Sequence, residues 1–337
     1  MTMRRTTSGV IGLAGVCLGA MILAGCGGQP APEPEPAMAE AALATTNPYR
    51  EFGITANNAF FYYDDVERAA EFYTDTLGVD LVADYDFAKI LRLAGTSYLI
   101  LVDAEMGMHS TDEPKSVALA LLTDELEAWH EYLQGQDVEF RSELSVNPDG
   151  PHDGFVVLDP EGYLLEFERF NDHPENVDLT PQLAQLDSLY PPADRGATAP
   201  SDLGIKATVL WLYYADMDSI QAFYEEKFGL DLTVDQGWAK IYQTSPAGYI
   251  GLVDGERGMR DATETKAVTV SFFTDDIRGW FDYTRDEQAF ELRSEAVSEA
   301  DDRFLAFVGY DPEGYFLEFD TFLEHEANTE LLEAMSQ

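Results

Sequence analysis

The chain has only two cysteines in 337 residues, Cys17 and Cys26, and both fall near its N-terminus. Everything downstream therefore folds without a disulfide, a thiolate nucleophile or a cysteine metal ligand, and draws its stability from burial. Positive charge is almost as scarce. Twenty Lys and Arg stand against 63 Asp and Glu, for a formal charge of −43. Such a surface repels phosphate backbones, which excludes nucleic acid as a partner. Two accounts of the acidity stay open: adaptation to high salt, and selective attraction for cationic ligands. The chain also lacks a Ser-His-Asp set, a phosphate-binding loop and an evident close pair of carboxylates, so those catalytic classes find no support.

Arg4 and Arg5 precede an apolar run from Val10 to Ala24, too short for an ordinary membrane span but proportioned as a signal peptide. It ends in Leu23-Ala24-Gly25-Cys26, which resembles the lipobox of bacterial lipoproteins, where the cysteine is lipidated and becomes the new N-terminus. The resemblance implies a signal peptide over 1–25 and a lipid bilayer as partner through Cys26. Residues 26–50, with "PAPEPEPAMAEAA", read as an extended tether. The expected location is the cell envelope, lipid-anchored. Gly27 in place of Asp favours the outer membrane of a Gram-negative cell, and otherwise the chain sits on the exterior face of the plasma membrane.

Shifting the sequence by 151 pairs "GITANNAFFYYDDVERAAEFYTDTLGVDL" with "GIKATVLWLYYADMDSIQAFYEEKFGLDL", and 53–132 shares 29 of 80 residues with 204–283. At a shift of 152, Asp159–Phe167 ("DPEGYLLEF") returns at 311–319 as "DPEGYFLEF". A period this long means two domains, not a solenoid. They run over 51–170 and 203–324, joined by a polar linker (171–202) and followed by a tail helix over 325–337. Inside each copy the pattern strand, helix, strand, strand, strand occurs twice. In the first copy its opening strand is 57–63 and its helix 65–77, and the second round begins at 116–122.

The segments "YYDDVERAAEFYTDTLG" and "DPEGYLLEF" resemble signatures of the vicinal oxygen chelate superfamily, which includes glyoxalase I, extradiol dioxygenases and bleomycin resistance proteins. The resemblance implies an α+β fold: a tandem of two domains, each of two βαβββ modules forming a curved mixed sheet around a cup, packed together as a pseudo-dimer. It also implies where a divalent metal would sit, on His, Gln or Glu from the first strand of each module and a carboxylate near the end of its last. Carried over, those seats fall on Asn58 and Val209, on Ser116 or Ala118 and Ala267 or Thr269, on Leu101 and Leu252, and on Glu166 and Glu318. Only the two glutamates are metal ligands by type, one per cup. His152 reads as a loop residue, and His173 and His325 as surface or capping residues. The expected cofactor is therefore none, with a divalent metal ion on Glu166 or Glu318 as the alternative.

Strand parity places further candidates beside the glutamates: Asn58, Phe60 and Tyr62 in one copy, and Trp211 and Tyr213 in the other. Such walls fit a small-molecule pocket or a filled core. Lys89 and Lys240 pair between the repeats, as do Arg141 and Arg293. These cations either neutralise nearby carboxylates or orient a ligand. The leading expectation is metal-independent binding of a small aromatic or cationic molecule. The alternatives are a metal-dependent lyase or dioxygenase-like enzyme and an envelope interaction module with filled cups.

Overall fold

The computed structural model describes residues 47–191 and 198–337; the signal peptide, Cys26 and most of the tether lie outside the described residues. No helix among those described is long and apolar enough to cross a membrane. After a short helix α1 (Pro48–Phe52), the first repeat opens with β1 (Ala56–Tyr63), α2 (Val66–Glu71), β2 (Asp80–Asp84), β3 (Ala88–Ala94) and β4 (Ser97–Asp103). Its second module is β5 (Val117–Leu122), α3 (Leu126–Gln134), β6 (Glu139–Ser145), β7 (His152–Leu158) and β8 (Leu164–Phe170). The linker holds α4 (Thr180–Leu183). The second repeat begins with β9 (Ala207–Tyr214), α5 (Met217–Phe223), β10 (Leu232–Asp235), β11 (Ala239–Ser245) and β12 (Gly248–Asp254). It continues with β13 (Val268–Phe273), α6 (Ile277–Glu287), β14 (Glu291–Leu292), β15 (Ser298–Ala300), β16 (Phe304–Tyr310) and β17 (Phe316–Phe322), and α7 (Thr329–Met335) follows.

The helices start where the sequence supplies a cap. The side chains of Asp65, Asp216 and Asp276 accept from the backbone N–H groups of Arg68, Ser219 and Gly279, satisfying donors that a first turn leaves open. Each helix then buries one stripe against a sheet; α6 does so with Ile277, Trp280, Phe281 and Thr284. Aromatic pairs fill this interface. Phe155 lies parallel to Phe167 at 4.9 Å, beside Trp129 of α3, and Phe307 repeats the stack on Phe319 at 4.8 Å. Truncating Phe167 or Phe319 to Ala would cost about 3–5 kcal/mol.

Two mixed sheets result, each built from two modules, but the modules of one sheet come from different repeats. One sheet runs β14-β16-β17-β13-β1-β4-β3-β2, with β15 pairing β16, and the other β10-β11-β12-β9-β5-β8-β7-β6. The seams are antiparallel: β1 lies on β13, with Asn58 opposite Ser271, and β5 lies on β9, with Ala120 opposite Val209. The chain is thus interleaved. Each cup takes one half from each copy, where the sequence pattern alone suggests that a repeat closes on itself.

The repeated nonapeptide locks this arrangement. The N–H of Gly162 closes the turn on the carbonyl of Asp159 at 3.1 Å, with Gly162 at a φ of 88° that favours glycine. Asp159 is buried, and its Oδ2 accepts the hydroxyls of Tyr63 at 2.6 Å and Tyr73 at 3.1 Å. The Tyr163 hydroxyl donates to the Ala267 carbonyl of the other repeat at 2.6 Å and accepts from the N–H of Tyr62 at 2.9 Å. Asp311 and Tyr315 repeat these roles, Asp311 accepting from Tyr214 and Tyr315 donating to the Ser116 carbonyl. The motif is a keystone between modules.

Candidate functional site

Parity along the strands sets what faces each cup. In the β5/β9 cup, β8 turns both Glu166 and Glu168 inward, and β9 presents Trp211 and Tyr213. β7 adds His152, whose Nδ1 lies 3.5 Å from Glu168 Oε1. Trp238 and Arg257 form the rim, with the guanidinium 5.2 Å above the indole ring. Together these enclose a cavity of about 260 Å³.

The β1/β13 cup has the same plan and almost no room, about 50 Å³. The repeat equivalences explain the difference. Where the closed cup has Tyr85, Ile100 and Phe304, the open one has Gln236, Gly251 and His152. Gly251 is required there because a Cβ would land inside the Trp211 ring. The closed cup is further plugged by α7, whose Leu331 and Ala334 join a buried cluster with Tyr98, Ile100 and Phe273. The linker's α4 is shorter than α7. One cup is a pocket and its twin is largely a core.

The carboxyls of the open cup are unusual. Burial raises Glu166 to about 7, and burial with the Glu166 charge pushes Glu168 well above the usual carboxylate range. Near neutral pH the pair holds at least one proton, and Glu168 Oε2 has no hydrogen-bond partner. Burial also holds His152 below its ordinary value despite the nearby charges of Asp153 and Glu175. The arrangement can donate a hydrogen bond, accept one, or ionise against a cation. In the closed cup Glu318 and Asp320 form the matching pair; Asp320 is raised to about 7 by burial, with Ser271 donating to its Oδ2 at 2.7 Å.

The structure brings together Glu166, Trp211 and Tyr213 in one cup, and Asn58, Phe60, Tyr62 and Glu318 in the other. It removes the lysines. Lys89 Nζ lies 2.9 Å from both Glu67 Oε1 and Asp84 Oδ1, and Lys240 lies 2.7 Å from Asp235 Oδ1, so both buried lysines pair with exposed carboxylates away from the cups. Their parity, one residue off the inward face, is the reason. Arg141 and Arg293 are exposed. Arg293 lies over Phe316, at 4.9 Å, and its charge reaches Glu318.

Three other expectations need correction. Each cup has two carboxyls where one was expected, because Glu168 and Asp320 share the inward face two residues on. His152 belongs to β7 and the pocket instead of a loop. The concave positions beside the seams are Ile100 and Gly251, while Leu101 and Leu252 pack on the helix side. Gln236, Trp238 and Arg257 also line the pocket, from loop positions that give no periodic signal in the sequence. His173 and His325 do cap, each accepting through Nδ1 from a backbone N–H two residues on.

The donors do not fit the metal site that the fold implies. Val209 and Ala120 stand beside Glu166 at the seam, both apolar, and no group of three or more His, Cys, Asp or Glu among the described residues is placed to hold an ion.

Comparison with known proteins agrees with this architecture. The model of the Glyoxalase/Bleomycin resistance protein/Dioxygenase superfamily matches residues 55–167. Among solved structures, glyoxalase I from Zea mays is similar at a TM-score of 0.56 and 15% identity, over 86% of this chain and 98% of that one. A putative dioxygenase from Bacillus subtilis is similar at 0.55 and 15%, over 84% and 90%. No curated protein matches the sequence. At these identities the structures speak for the fold of the whole chain, and the matched segment identifies residues 55–167 as a domain of the glyoxalase/bleomycin resistance/dioxygenase superfamily, the vicinal oxygen chelate superfamily.

Proposed function

We propose that this protein is an envelope-tethered small-molecule binder that works without a metal, through the β5/β9 cup. The observation that carries the reading is the contrast between the cups: about 260 Å³ framed by Trp211, Tyr213 and Trp238 in one, about 50 Å³ in the other. Two indoles and a phenol around a carboxyl pair suit a flat aromatic molecule carrying a basic or hydrogen-bonding nitrogen, the rings taking the face and Glu166 the nitrogen. The tether reading rests on Cys26 and the Pro/Glu-rich segment after it.

Thermal-shift screening of small aromatic amines and their neutral analogues tests this. A specific ligand at a hundredfold excess over its dissociation constant stabilises the native state by roughly 2.7 kcal/mol. Trp238→Ala combined with Glu166→Gln, which removes a rim wall and the ionisable group and leaves the Gly251–Trp211 contact intact, should abolish that response. A response that survives the double substitution would place binding elsewhere. No response to any compound would favour an interaction module with filled cups.

A further inference from the structure

One level of the β1/β13 cup carries five polar side chains in register. Asn58 on β1 is opposite Ser271 on β13, and Ser271 is opposite Glu318 on β17. On the other side Arg92 on β3 is opposite Tyr98 on β4, which follows Ser97, the partner of Asn57. The row Arg92, Tyr98, Asn58, Ser271, Glu318 thus crosses five strands, roughly 19 Å at about 4.8 Å per strand. Every member is more than nine-tenths buried. Yet Arg92 Nε, the Tyr98 hydroxyl, both polar atoms of Asn58 and Glu318 Oε2 have no hydrogen-bond partner.

Orphaned polar atoms cost stability, and so many on one line call for an occupant. The open cup shows the row is not a demand of the fold. Its equivalents are Gln243, Tyr249, Val209, Ala120 and Glu166, with apolar residues at the seam and Gln243 donating to the Tyr249 hydroxyl at 3.3 Å. What covers the Arg92 and Tyr98 end of the row is α7, which brings Leu331, Ala334 and Met335 into the buried cluster that holds Tyr98. Its latches are polar: Tyr85 donates to Asn328 Oδ1, and Arg92 Nη1 donates to Gln337 Oε1 at 3.2 Å.

We propose that this row is a second binding site, separate from the open cup, for a small carboxylic acid bearing a hydroxyl or carbonyl group, and that α7 is the plug it displaces. Arg92 is the row's one fixed cation, and its planar fork suits a carboxylate. Its Nη1 now donates to the Gln337 side-chain oxygen and its Nη2 to the Gly95 carbonyl at 3.2 Å, while Nε is open, so a carboxylate would take Nε and share Nη2 with that carbonyl. Tyr98 offers a further donor, while Asn58 offers a donor and an acceptor to an uncharged polar group. The hollow left in this cup, about 50 Å³, meets the row at Glu318 alone, so an organic acid reaches Arg92 and Tyr98 only when α7 lifts, and binding and lifting are one event.

The test uses the full chain with glycolate as probe, and acetate (no hydroxyl) and glycolamide (no charge) for comparison. Calorimetry reads affinity and hydrogen exchange reads α7. Glycolate should bind more tightly than either comparison and speed exchange of the 329–335 amides. Gln337→Ala frees Arg92 Nη1 and should tighten glycolate at least threefold. Asn58→Val copies Val209; it should weaken glycolate tenfold or more while raising the thermal midpoint, since two orphans are removed. The proposal is overturned if glycolate binds neither the wild type nor Gln337→Ala, if Asn58→Val leaves its affinity unchanged, or if α7 exchange ignores it. Ordered water would then satisfy the row, and α7 would be permanent core.

Discussion

Replacing Glu166 with Gln keeps the shape of the open cup's floor and removes its ability to ionise. Burial raises this carboxyl from an ordinary 4.5 to about 7. The native state therefore holds the proton more tightly than the unfolded chain does. Stability from this group is fully present below about pH 4.5, declines as pH rises through 7, and is flat above that. At 1.36 kcal/mol per pH unit the full effect is about 3–4 kcal/mol. Glu166 keeps part of its surface open to the cavity, so screening reduces this to about 1–3 kcal/mol. Glu166→Gln should be nearly neutral at pH 5 and stabilising by that amount at pH 8. For a chain of this size the gain reads as roughly 2–4 °C of melting temperature per kcal/mol. Paired unfolding curves from pH 5 to 8.5 cancel the pH dependence of the other acidic groups, leaving the difference to Glu166 and its partner Glu168. A variant less stable than wild type at pH 8, or a difference that does not change with pH, would refute the reasoning. In the same preparations a basic aromatic ligand should lose more affinity than a neutral one.

Cys26→Ser should release the protein from the membrane fraction or block its processing, and unchanged membrane association would defeat the lipoprotein reading. The chain from Asn47 onward, purified without chelators, should carry well under one divalent ion per molecule by elemental analysis. Stoichiometric metal that survives gel filtration and is lost with Glu166→Gln would restore the enzyme alternative. Tyr163→Phe leaves the N–H of Tyr62 and the carbonyl of Ala267 without their partner and should cost about 1–3 kcal/mol in denaturant unfolding. Full stability in that variant would mean the cross-repeat contact is incidental.

Much of this is legible in the amino-acid sequence. The nonapeptide announces its turn, the alternation behind it points Glu166 and Glu318 into the cups, and Asp65, Asp216 and Asp276 mark helix starts. Glu168 and Asp320 were equally visible, since period-two spacing puts them on the same face as the glutamates before them. The pairing of β1 with β13 was not. β5 and β13 are near-copies in pattern, so nothing in β1 says which of them it joins. Nor does "TELLEAM" at the C-terminus reveal that it fills a cup, because a short amphipathic helix reads the same on a surface or in a hollow.

The crossed pairing also bears on how the two cups came to differ. Half of this chain, ending near Tyr190, would leave β1 and β5 each with a bare edge where β13 and β9 now lie. Two such halves can cover each other's edges by setting β1 of one beside β5 of the other, around a twofold axis. The full chain has the layout of such a symmetric pair within one polypeptide. In a pair of identical halves every substitution strikes both hollows at once, so none can be opened while its mate is sealed. Fusion lifts that constraint: glycine at 251 opposite isoleucine at 100, or glutamine at 236 opposite tyrosine at 85, is an asymmetry available only to a single chain.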